Sequence, residues 1–388
     1  MDRGGAPREL AAMRPFAFQT VPDIRFGAGA TDGLAAWLAE RGARRVLIVT
    51  DEGVARAGLL APVRGALAAA GLDVRVFDEV VADPPERVVL AAGRAARGRD
   101  AVVGLGGGSP LDTAKLAALL AREEQPLGEM YGVDRVSASR PPLVLVPTTA
   151  GTGSEVTPIA IVTTGEATKA GVVSPRLHAD MALLDPALTR GLPPPVTAAT
   201  GVDAMVHAVE AYTSKHRKNP LSDALAREAL RLLARAVPRA VADGADEAAR
   251  GEAMLGAMLA GQAFANAPVA AVHALAYPLG GRFHLPHGLT NAVVLPHVLR
   301  FNLPEAAGLY AELSGDVGGT PGDAESLVAR LEAICEQVGL RLPLSSLGVR
   351  PGHLPGLAVD AMTQTRLLRN NPRAVTHADA LAIYEAAL

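Results

Sequence analysis

Short runs of apolar and β-branched residues alternate, in the first half of the chain, with stretches in which apolar residues recur at helical intervals. Such runs predict strands and such stretches predict helices. Their alternation is typical of a parallel, doubly wound sheet. A hairpin around Pro22–Asp23 is expected to cap this sheet. The predicted strands are Phe16–Val21, Arg45–Thr50, Asp73–Phe77, Ala101–Leu105, Leu143–Pro147, Ile159–Thr163 and Ala182–Leu184, and the predicted helices span about 31–41, 53–70, 86–97 and 110–121.

The pattern changes at residues 191–195, where the run Gly-Leu-Pro-Pro-Pro interrupts the alternation. Beyond this breaker the β-branched runs disappear and long helical periods follow, for instance between Leu221 and Val237. This change of sequence pattern therefore predicts two domains of different structural class. The expected parts are a disordered extension over residues 1–12, an α/β domain over 13–190 and an all-α domain over 191–388.

Composition narrows the possible partners and compartment. The 388 residues carry a net charge of −3 without a cationic cluster, so we expect neither nucleic acid nor an anionic membrane as partner. No apolar run approaches the length of a membrane span. The single cysteine, Cys335, excludes an internal disulfide and favours the cytoplasm. Any metal site must therefore be built from histidines and carboxylates.

A glycine cluster follows the predicted strand Ala101–Leu105 and leads into a helix. Glycines let the backbone approach a ligand closely, and free N–H groups at a helix N-terminus bind a pyrophosphate. We place Ser109 at the N-cap and Pro110 at the first helical position, with Asp112 as a capping carboxylate. The alternative is an ordinary tight turn, because the run matches neither G-x-G-x-x-G nor the Walker pattern. The candidate cofactor contacts are Gly106, Gly107, Gly108, Ser109 and Asp112.

A second turn, at residues 146–155, is rich in glycines and hydroxyl side chains and also follows a predicted strand. Parallel sheets bind ligands at the carboxyl ends of their strands, so this turn is a second candidate for cofactor binding. Asp51 ends the predicted strand Arg45–Thr50. Its carboxylate would favour NAD over NADP by repelling a 2′-phosphate, but it would equally well cap the following helix.

The helical half carries a constellation suited to a metal. Asp203 and His207 lie four residues apart, on one face of a predicted helix. His273 and His287 are separated by helix-breaking glycines and a proline, so they come from different elements that can converge. Three neutral imidazoles and one carboxylate suit Fe²⁺ or Zn²⁺. By spacing alone, however, a histidine is more often a satisfied polar group than a ligand.

Several motifs in one order resemble the iron-containing (group III) alcohol dehydrogenases, the family of lactaldehyde and 1,3-propanediol oxidoreductases. The resemblance runs from about Val21 to the C-terminus. The motifs that carry it are Gly106–Lys115, Pro147–Glu155, Gly201–His207, Leu285–Gly288 and Asn371–Arg373.

The resemblance implies an enzyme that interconverts a primary alcohol and an aldehyde, or a ketone, by hydride transfer to or from NAD, with NADP as the alternative. It also implies an N-terminal dinucleotide-binding domain, a helical metal-binding domain and a homodimer. Phe264 is expected to line the substrate pocket. The implied metal ligands are Asp203, His207, His273 and His287, and the implied cofactor contacts include Asp51, Thr148, Thr149, Thr152 and Lys169.

Two departures from the family pattern affect the expected chemistry. Tyr277 stands where a further histidine is common, and Ala265–Ala270 replaces a segment in which glycines are usual. We expect catalytic roles for Tyr277, as a proton relay, and for His287; the alternative for Tyr277 is a pocket wall.

Two related enzyme classes are alternatives. A maleylacetate-reductase-like enzyme is disfavoured by the complete set of four implied ligands. A dehydroquinate-synthase-like lyase, which uses NAD transiently, would share the glycine turn, but the spacing of Asp203 and His207 fits the alcohol dehydrogenases better.

Overall fold

The strands of this computed structural model all lie before residue 185, and every element from Pro194 onward is helical. The structure describes residues 15–165 and 168–388, so the extension expected at 1–12 lies outside the described residues. The strands are β1 Ile24–Phe26, β2 Arg45–Asp51, β3 Asp73–Val80, β4 Ala101–Gly106, β5 Gly132–Val133, β6 Leu143–Pro147, β7 Ile159–Thr164, β8 Thr168–Val173 and β9 Met181–Leu184. The helices are α1 Leu34–Glu40, α2 Glu52–Arg56, α3 Leu60–Ala69, α4 Glu86–Ala96, α5 Gly108–Leu120, α6 Leu127–Met130, α7 Pro194–Thr213, α8 Pro220–Ala242, α9 Glu247–Asn266, α10 Ala271–Phe283, α11 His287–Ser314, α12 Ala324–Gln337, α13 Leu354–Met362, α14 Thr365–Leu368 and α15 His377–Ala387.

The main sheet has six strands in the order β1-β9-β6-β4-β2-β3, and all of its pairings are parallel. Residues that alternate along its central strands pack into separate cores. Val49 and Val102 face a core shared with α4 and α5, whereas Ile48 and Val103 face one shared with α1 and α3. Helices therefore cover both faces, which confirms the predicted doubly wound sheet.

The predicted strand Phe16–Val21 and its hairpin are wrong. This segment is irregular, and the first strand is β1, which pairs in parallel with β9. The backbone of Gln19 is instead bonded to the side chain of Asn266, at 2.7 Å through its N–H and 2.9 Å through its carbonyl. A side chain of α9 thus satisfies backbone groups that a hairpin would have used.

The predicted strand Ile159–Thr163 exists as β7, but it does not join the main sheet. It pairs antiparallel with β8, and β8 pairs in parallel with β5, in a separate sheet of three strands. Neither β5 nor β8 was predicted. The helix expected at 53–70 is also divided, because Gly58 takes a φ of +77° between α2 and α3.

The helical half brings three segments together around α7, which is buried along most of its length. Helix α7 carries Asp203 and His207, α10 carries His273, and α11 begins at His287. Among the described helices, no single one is both long and apolar enough to cross a membrane. Helices α9 and α10 together reach that length and apolar composition, but the chain bends by 105° between them.

Close contact between the backbones of α7 and α11 fixes where α11 begins. A Cβ atom at Gly288 would lie 2.1 Å from the carbonyl oxygen of Ala199, well inside van der Waals contact. Position 288 therefore accepts only glycine, and the residue before it is His287. The approach of the two backbones holds His287 beside the helix that carries Asp203.

We predict that Gly288→Ala destabilises the protein and displaces His287, because α11 must move away from α7 to admit the methyl group. Overpacking of this kind costs about 1–3 kcal/mol. Gly308→Ala is the matched control, since a Cβ at this other position in α11 would meet nothing within 4 Å. Alanine there should stabilise the helix by about 0.5–1 kcal/mol. Thermal unfolding of both variants checks this, and equal melting temperatures would contradict it.

Candidate active site

A cavity of about 650 Å³ separates the carboxyl edge of the main sheet from the helical half. Its walls come from both halves of the chain, including the start of α5, the strands β7 and β8, and the helices α7, α9, α10 and α11. Ligands of parallel α/β sheets bind at this edge, so the position agrees with the general rule for such folds. The predicted residues found on its wall are Gly108, Ser109, Asp112, Thr152, Lys169, Asp203, His207, Phe264, His273, Tyr277 and His287.

The glycine turn leads from β4 into α5 earlier than predicted. The helix begins at Gly108, and its N-cap Gly107 provides no capping side chain, so the placement of Ser109 as N-cap and Pro110 as first helical residue was wrong. Gly106 has a φ of +150°, and a Cβ there would meet Pro110 at 2.7 Å. No side chain caps the N–H groups in the first turn of α5, and Gly108 and Ser109 of this turn line the cavity, as anion binding requires.

Asp112 and Lys115 hold the second turn in place. The Asp112 carboxylate accepts a hydrogen bond of 2.6 Å from Ser154 Oγ and one of 2.9 Å from the backbone N–H of Ile161. Lys115 is fully buried and donates to Ser154 Oγ at 2.8 Å and to the carbonyl of Ile159 at 2.6 Å. Asp112 is therefore tied to protein groups rather than to its own helix end, and the sequence analysis did not single out Lys115.

The remaining cofactor candidates lie beside the cavity. Thr148 donates its backbone N–H to the carbonyl of Gly106 at 2.9 Å, which packs the second turn against the glycine turn. Asp51 accepts a hydrogen bond of 2.9 Å from the N–H of Val54, so it caps α2, one of its two predicted roles. Gly106, Gly107, Thr148, Thr149 and Asp51 are not among the residues that line the cavity.

Asp203, His273 and His287 form a compact group whose ligand atoms all lie within 4.8 Å of one another. Oδ1 of Asp203 is 3.7 Å from Nε2 of His273 and 3.6 Å from Nε2 of His287. Nε2 of His207 is 3.9 Å from the same oxygen, at the edge of the group. Two ligands of one tetrahedral ion, each about 2.1 Å from it, are about 3.4 Å apart. These spacings therefore suit a shared metal ion.

The environment of Asn291 shows that this group suits a cation. Its amide nitrogen lies 2.6 Å from Asp203 Oδ1, 3.2 Å from His273 Nε2 and 3.3 Å from His287 Nε2. A donor group thus lies where the acceptors converge, while the buried Oδ1 atom of Asn291 has no hydrogen-bond partner among residues 15–165 and 168–388. Acceptor atoms that converge on one point are what a metal ion needs.

The protonation states of the histidines also suit metal binding. Burial lowers the pKa of His207 to about 3 and that of His287 to about 4. Both rings are therefore neutral near pH 7 and carry a free lone pair, as a metal ligand must. His287 has the most exposed side chain of the set, at 36 %, and faces the cavity.

Glu210 is a residue that the sequence analysis missed. Its carboxylate lies 2.7 Å from Nδ1 of His273 and accepts the backbone N–H groups of Ala270 and Val272 at 2.9 and 2.7 Å. Because the carboxylate only accepts, Nδ1 carries the proton and Nε2 of His273 keeps its lone pair. The signal was present in the sequence as a carboxylate two helical turns after Asp203, inside an otherwise apolar helix.

Glu210 also affects the basicity of its histidine. Burial lowers the pKa of His273, but the Glu210 and Asp203 carboxylates together outweigh burial and raise the pKa of the ring. A more basic imidazole is a stronger ligand, and its orientation is held by the same hydrogen bond. Glu210 therefore both caps the start of α10 and aims His273 at Asp203.

Two aromatic rings border the histidines. Phe264 stacks on His207, with ring centroids 4.3 Å apart, and lines the cavity as expected. The ring of Tyr277 lies 5.8 Å from that of His287 and 6.4 Å, edge-on, from that of His273. Burial raises the pKa of Tyr277 to about 12, so its hydroxyl is protonated near neutral pH.

We predict that Glu210→Gln weakens metal binding about 10–100-fold, the usual effect of removing a carboxylate behind a histidine ligand. The amide cannot accept from both backbone N–H groups and from Nδ1 at once. Metal affinity is measured by competition with a chromophoric chelator, and circular dichroism checks the fold. Glu252→Gln, which removes a carboxylate paired with Arg235 on the surface, is the control. Equal affinities in the two variants would contradict the role of Glu210.

Family models match nearly the whole chain. The model described as iron-containing alcohol dehydrogenase covers residues 22–186, and that of the C-terminal part of the Fe-containing alcohol dehydrogenase family covers residues 197–388. Together they span both the glycine turn and the metal candidates.

Individual relatives cover the chain almost end to end. Long-chain-alcohol dehydrogenase 1 of Geobacillus thermodenitrificans is 42 % identical over 94 % of this chain and 95 % of its own length. A crystal structure of 1,3-propanediol oxidoreductase has a TM-score of 0.92 at 36 % identity, covering 97 % of this chain and 100 % of that one. Sulfoacetaldehyde reductase from Bifidobacterium kashiwanohense, solved with NAD⁺, has a TM-score of 0.89 at 27 % identity, covering 96 % and 99 %.

These matches favour alcohol–aldehyde oxidoreduction over the lyase and maleylacetate reductase alternatives. The fold and the grouping of Asp203, His273 and His287 agree with them. The chain belongs to the iron-containing alcohol dehydrogenase family and is an oxidoreductase that interconverts alcohols and aldehydes.

Proposed function

We propose that this protein uses NAD and one divalent metal ion, Fe²⁺ in preference to Zn²⁺, to transfer a hydride between a primary alcohol and the nicotinamide. One observation carries the proposal: Asp203, His273 and His287 converge on a cavity that the uncapped start of α5 also lines. A metal site and an anion site therefore face the same space, as the reaction requires.

Asp203, His207, His273 and His287 would hold the ion, with Glu210 fixing the ring of His273. A divalent ion bound there supplies a Lewis acid, which lowers the pKa of an alcohol hydroxyl and polarises an aldehyde carbonyl. Phe264 stacks on the ring of His207 and lines the cavity, so its apolar ring would help to keep water from the reacting atoms. His287 faces the cavity and borders the place where the substrate oxygen would lie.

The nucleotide would lie along the carboxyl edge of the sheet. The free N–H groups of Gly107, Gly108 and Ser109 are suited to a pyrophosphate, and Gly106 allows its close approach. Asp51, at the end of β2, would repel a 2′-phosphate and so favours NAD over NADP. A solved relative contains NAD⁺. Further contacts are proposed from Asp112, Thr148, Thr149, Thr152 and Lys169.

We further propose a domain boundary near residue 190, a homodimer and a cytoplasmic location. The last strand ends at Leu184 and α7 begins at Pro194, so the change from strands to helices falls between these two residues. The one cysteine is unpaired and buried, which fits a reducing compartment. The dimer rests on the family resemblance, and analytical ultracentrifugation tests it.

The proposed function predicts a defined loss on removal of one ligand. The protein is purified anaerobically and loaded with Fe²⁺, its bound metal is measured, and NADH oxidation is followed with short-chain aldehydes. We expect turnover in the parent and loss of both metal and turnover in His273→Ala. His377→Ala, at the exposed start of α15, is the control and should keep both. Metal-free protein with full activity, or an active His273→Ala variant, would refute the proposal.

Tyr277→Phe separates the proposed proton relay from a wall role. If the hydroxyl moves a proton, kcat falls and the pH–rate profile loses one ionisation, because phenylalanine keeps the ring but not the proton. The profile is measured with saturating NADH on metal-loaded protein. An unchanged kcat and profile would leave Tyr277 as a packing residue only.

A further inference from the structure

Three arginines line the same cavity as the candidate metal ligands: Arg217, Arg366 and Arg369. Each side chain is exposed. In the described ranges 15–165 and 168–388, no ion pair or hydrogen bond engages any of the three guanidinium groups. Unpaired charged side chains on a cavity wall can bind a ligand of opposite charge. The three arginines come from two chain segments, one that holds Arg217 and one that holds Arg366 and Arg369.

Backbone hydrogen bonds bring these segments together. The N–H of Lys215 donates to the carbonyl of Asn370 at 2.8 Å, which joins the loop after α7 to the end of α14. The amide of Asn370 in turn donates to the carbonyl of Val269 at 3.0 Å, and Ser214 Oγ donates to the carbonyl of Pro268 at 2.8 Å. The arginines are therefore held on one wall, beside the segment that precedes α10.

This wall lies close to the candidate chemistry. Helix α14, which carries Arg366, packs against α10, which carries Tyr277, and both side chains line the cavity. Tyr277 borders His273 and His287. Leu367 and Val269, both buried, line the cavity between the charged positions and give this wall an apolar part.

The carboxylates that line the cavity are already engaged. Asp83 pairs with Lys169, and Asp112 is bonded to Ser154, Ile161 and Lys115. Asp203 belongs to the metal group. None of these acids neutralises the arginines, so this wall keeps an excess of positive charge. A cavity wall with uncompensated positive charge attracts anionic ligands.

We propose that Arg217, Arg366 and Arg369 form an anion subsite that selects alcohols and aldehydes carrying a carboxylate, sulfonate or phosphate group. This inference rests on the proposed function and names its substrate class. The anionic group takes no part in the reaction: the aldehyde carbon gains a hydride from NADH, its oxygen gains a proton from solvent, and NAD⁺ is released. Guanidinium groups bind such anions through paired N–H donors.

The test compares 4-oxobutanoate with butanal, which have the same carbon chain and differ in a terminal carboxylate. On metal-loaded protein with saturating NADH, kcat/KM should favour 4-oxobutanoate by about tenfold or more, through a lower KM. Arg366→Gln and Arg369→Gln should each lower that preference about tenfold, and kcat/KM for butanal should change less than about twofold. Aldehydes with a terminal sulfonate or phosphate identify which anion is preferred.

Arg64→Gln is the matched control, because Arg64 is an exposed arginine on α3 that does not line the cavity. It should leave both substrates unchanged. Equal kcat/KM for charged and neutral aldehydes in the parent protein would overturn the subsite. A raised KM for NADH in Arg366→Gln and Arg369→Gln, with the preference for 4-oxobutanoate intact, would also overturn it, because the arginines would then serve the cofactor.

A binding measurement separates failure of this inference from failure of the proposed function. Isothermal titration of the parent protein with 4-hydroxybutanoate, compared with 1-butanol, needs no turnover. Tighter binding of the carboxylate that is lost in the Arg366→Gln, Arg369→Gln double variant supports the subsite even if no aldehyde is reduced, and then only the proposed function fails. Conversely, if the protein reduces butanal but shows no preference for the carboxylate, the proposed function holds and the anion subsite is refuted.

Discussion

The structure depends on one buried carboxylate, Asp203, at the point where α7, α10 and α11 meet. A charge this deep in the protein is tolerated only with close partners, and its partners here are imidazoles from two other helices and the Asn291 amide. A different contact positions each of the two helices that carry these imidazoles. Glu210 caps α10, and the contact of Gly288 with Ala199 sets the start of α11. The chemistry therefore depends on helix packing more than on any loop.

The second requirement is that this group faces the sheet. Buried Lys115 and Asp112 tie the start of α5 to the turn around Ser154 and to β7, so the glycine turn and the second turn form one rigid edge. Gly153 and Gly261 pack backbone to backbone and connect that edge to α9. The helical half can thus hold its ligands at a fixed distance from the nucleotide side.

Much of this arrangement could be predicted from the sequence. The strand–helix alternation gave the central strands of the main sheet, and the spacing of Asp203 and His207 placed both on one helix face. Hydrogen bonds between the backbone and side chains that are distant in sequence could not be predicted. The segment before Ile24 looks like a strand, but Asn266 takes its hydrogen bonds from 247 residues away. The position of Glu210 in an apolar helix was visible in the sequence, but its partner His273 was not. The three arginines come from separate chain segments that only the fold places on one cavity wall.

The most direct measurement is anomalous diffraction from crystals grown anaerobically with Fe²⁺, collected on both sides of the iron absorption edge. We expect one iron peak per chain, within about 2.0–2.3 Å of Asp203 and the Nε2 atoms of His207, His273 and His287. An ion at this point would take the place of the Asn291 amide nitrogen beside Asp203 Oδ1, so we expect that amide to move. A peak elsewhere, or no peak in protein that reduces aldehydes at full rate, would contradict the central claim.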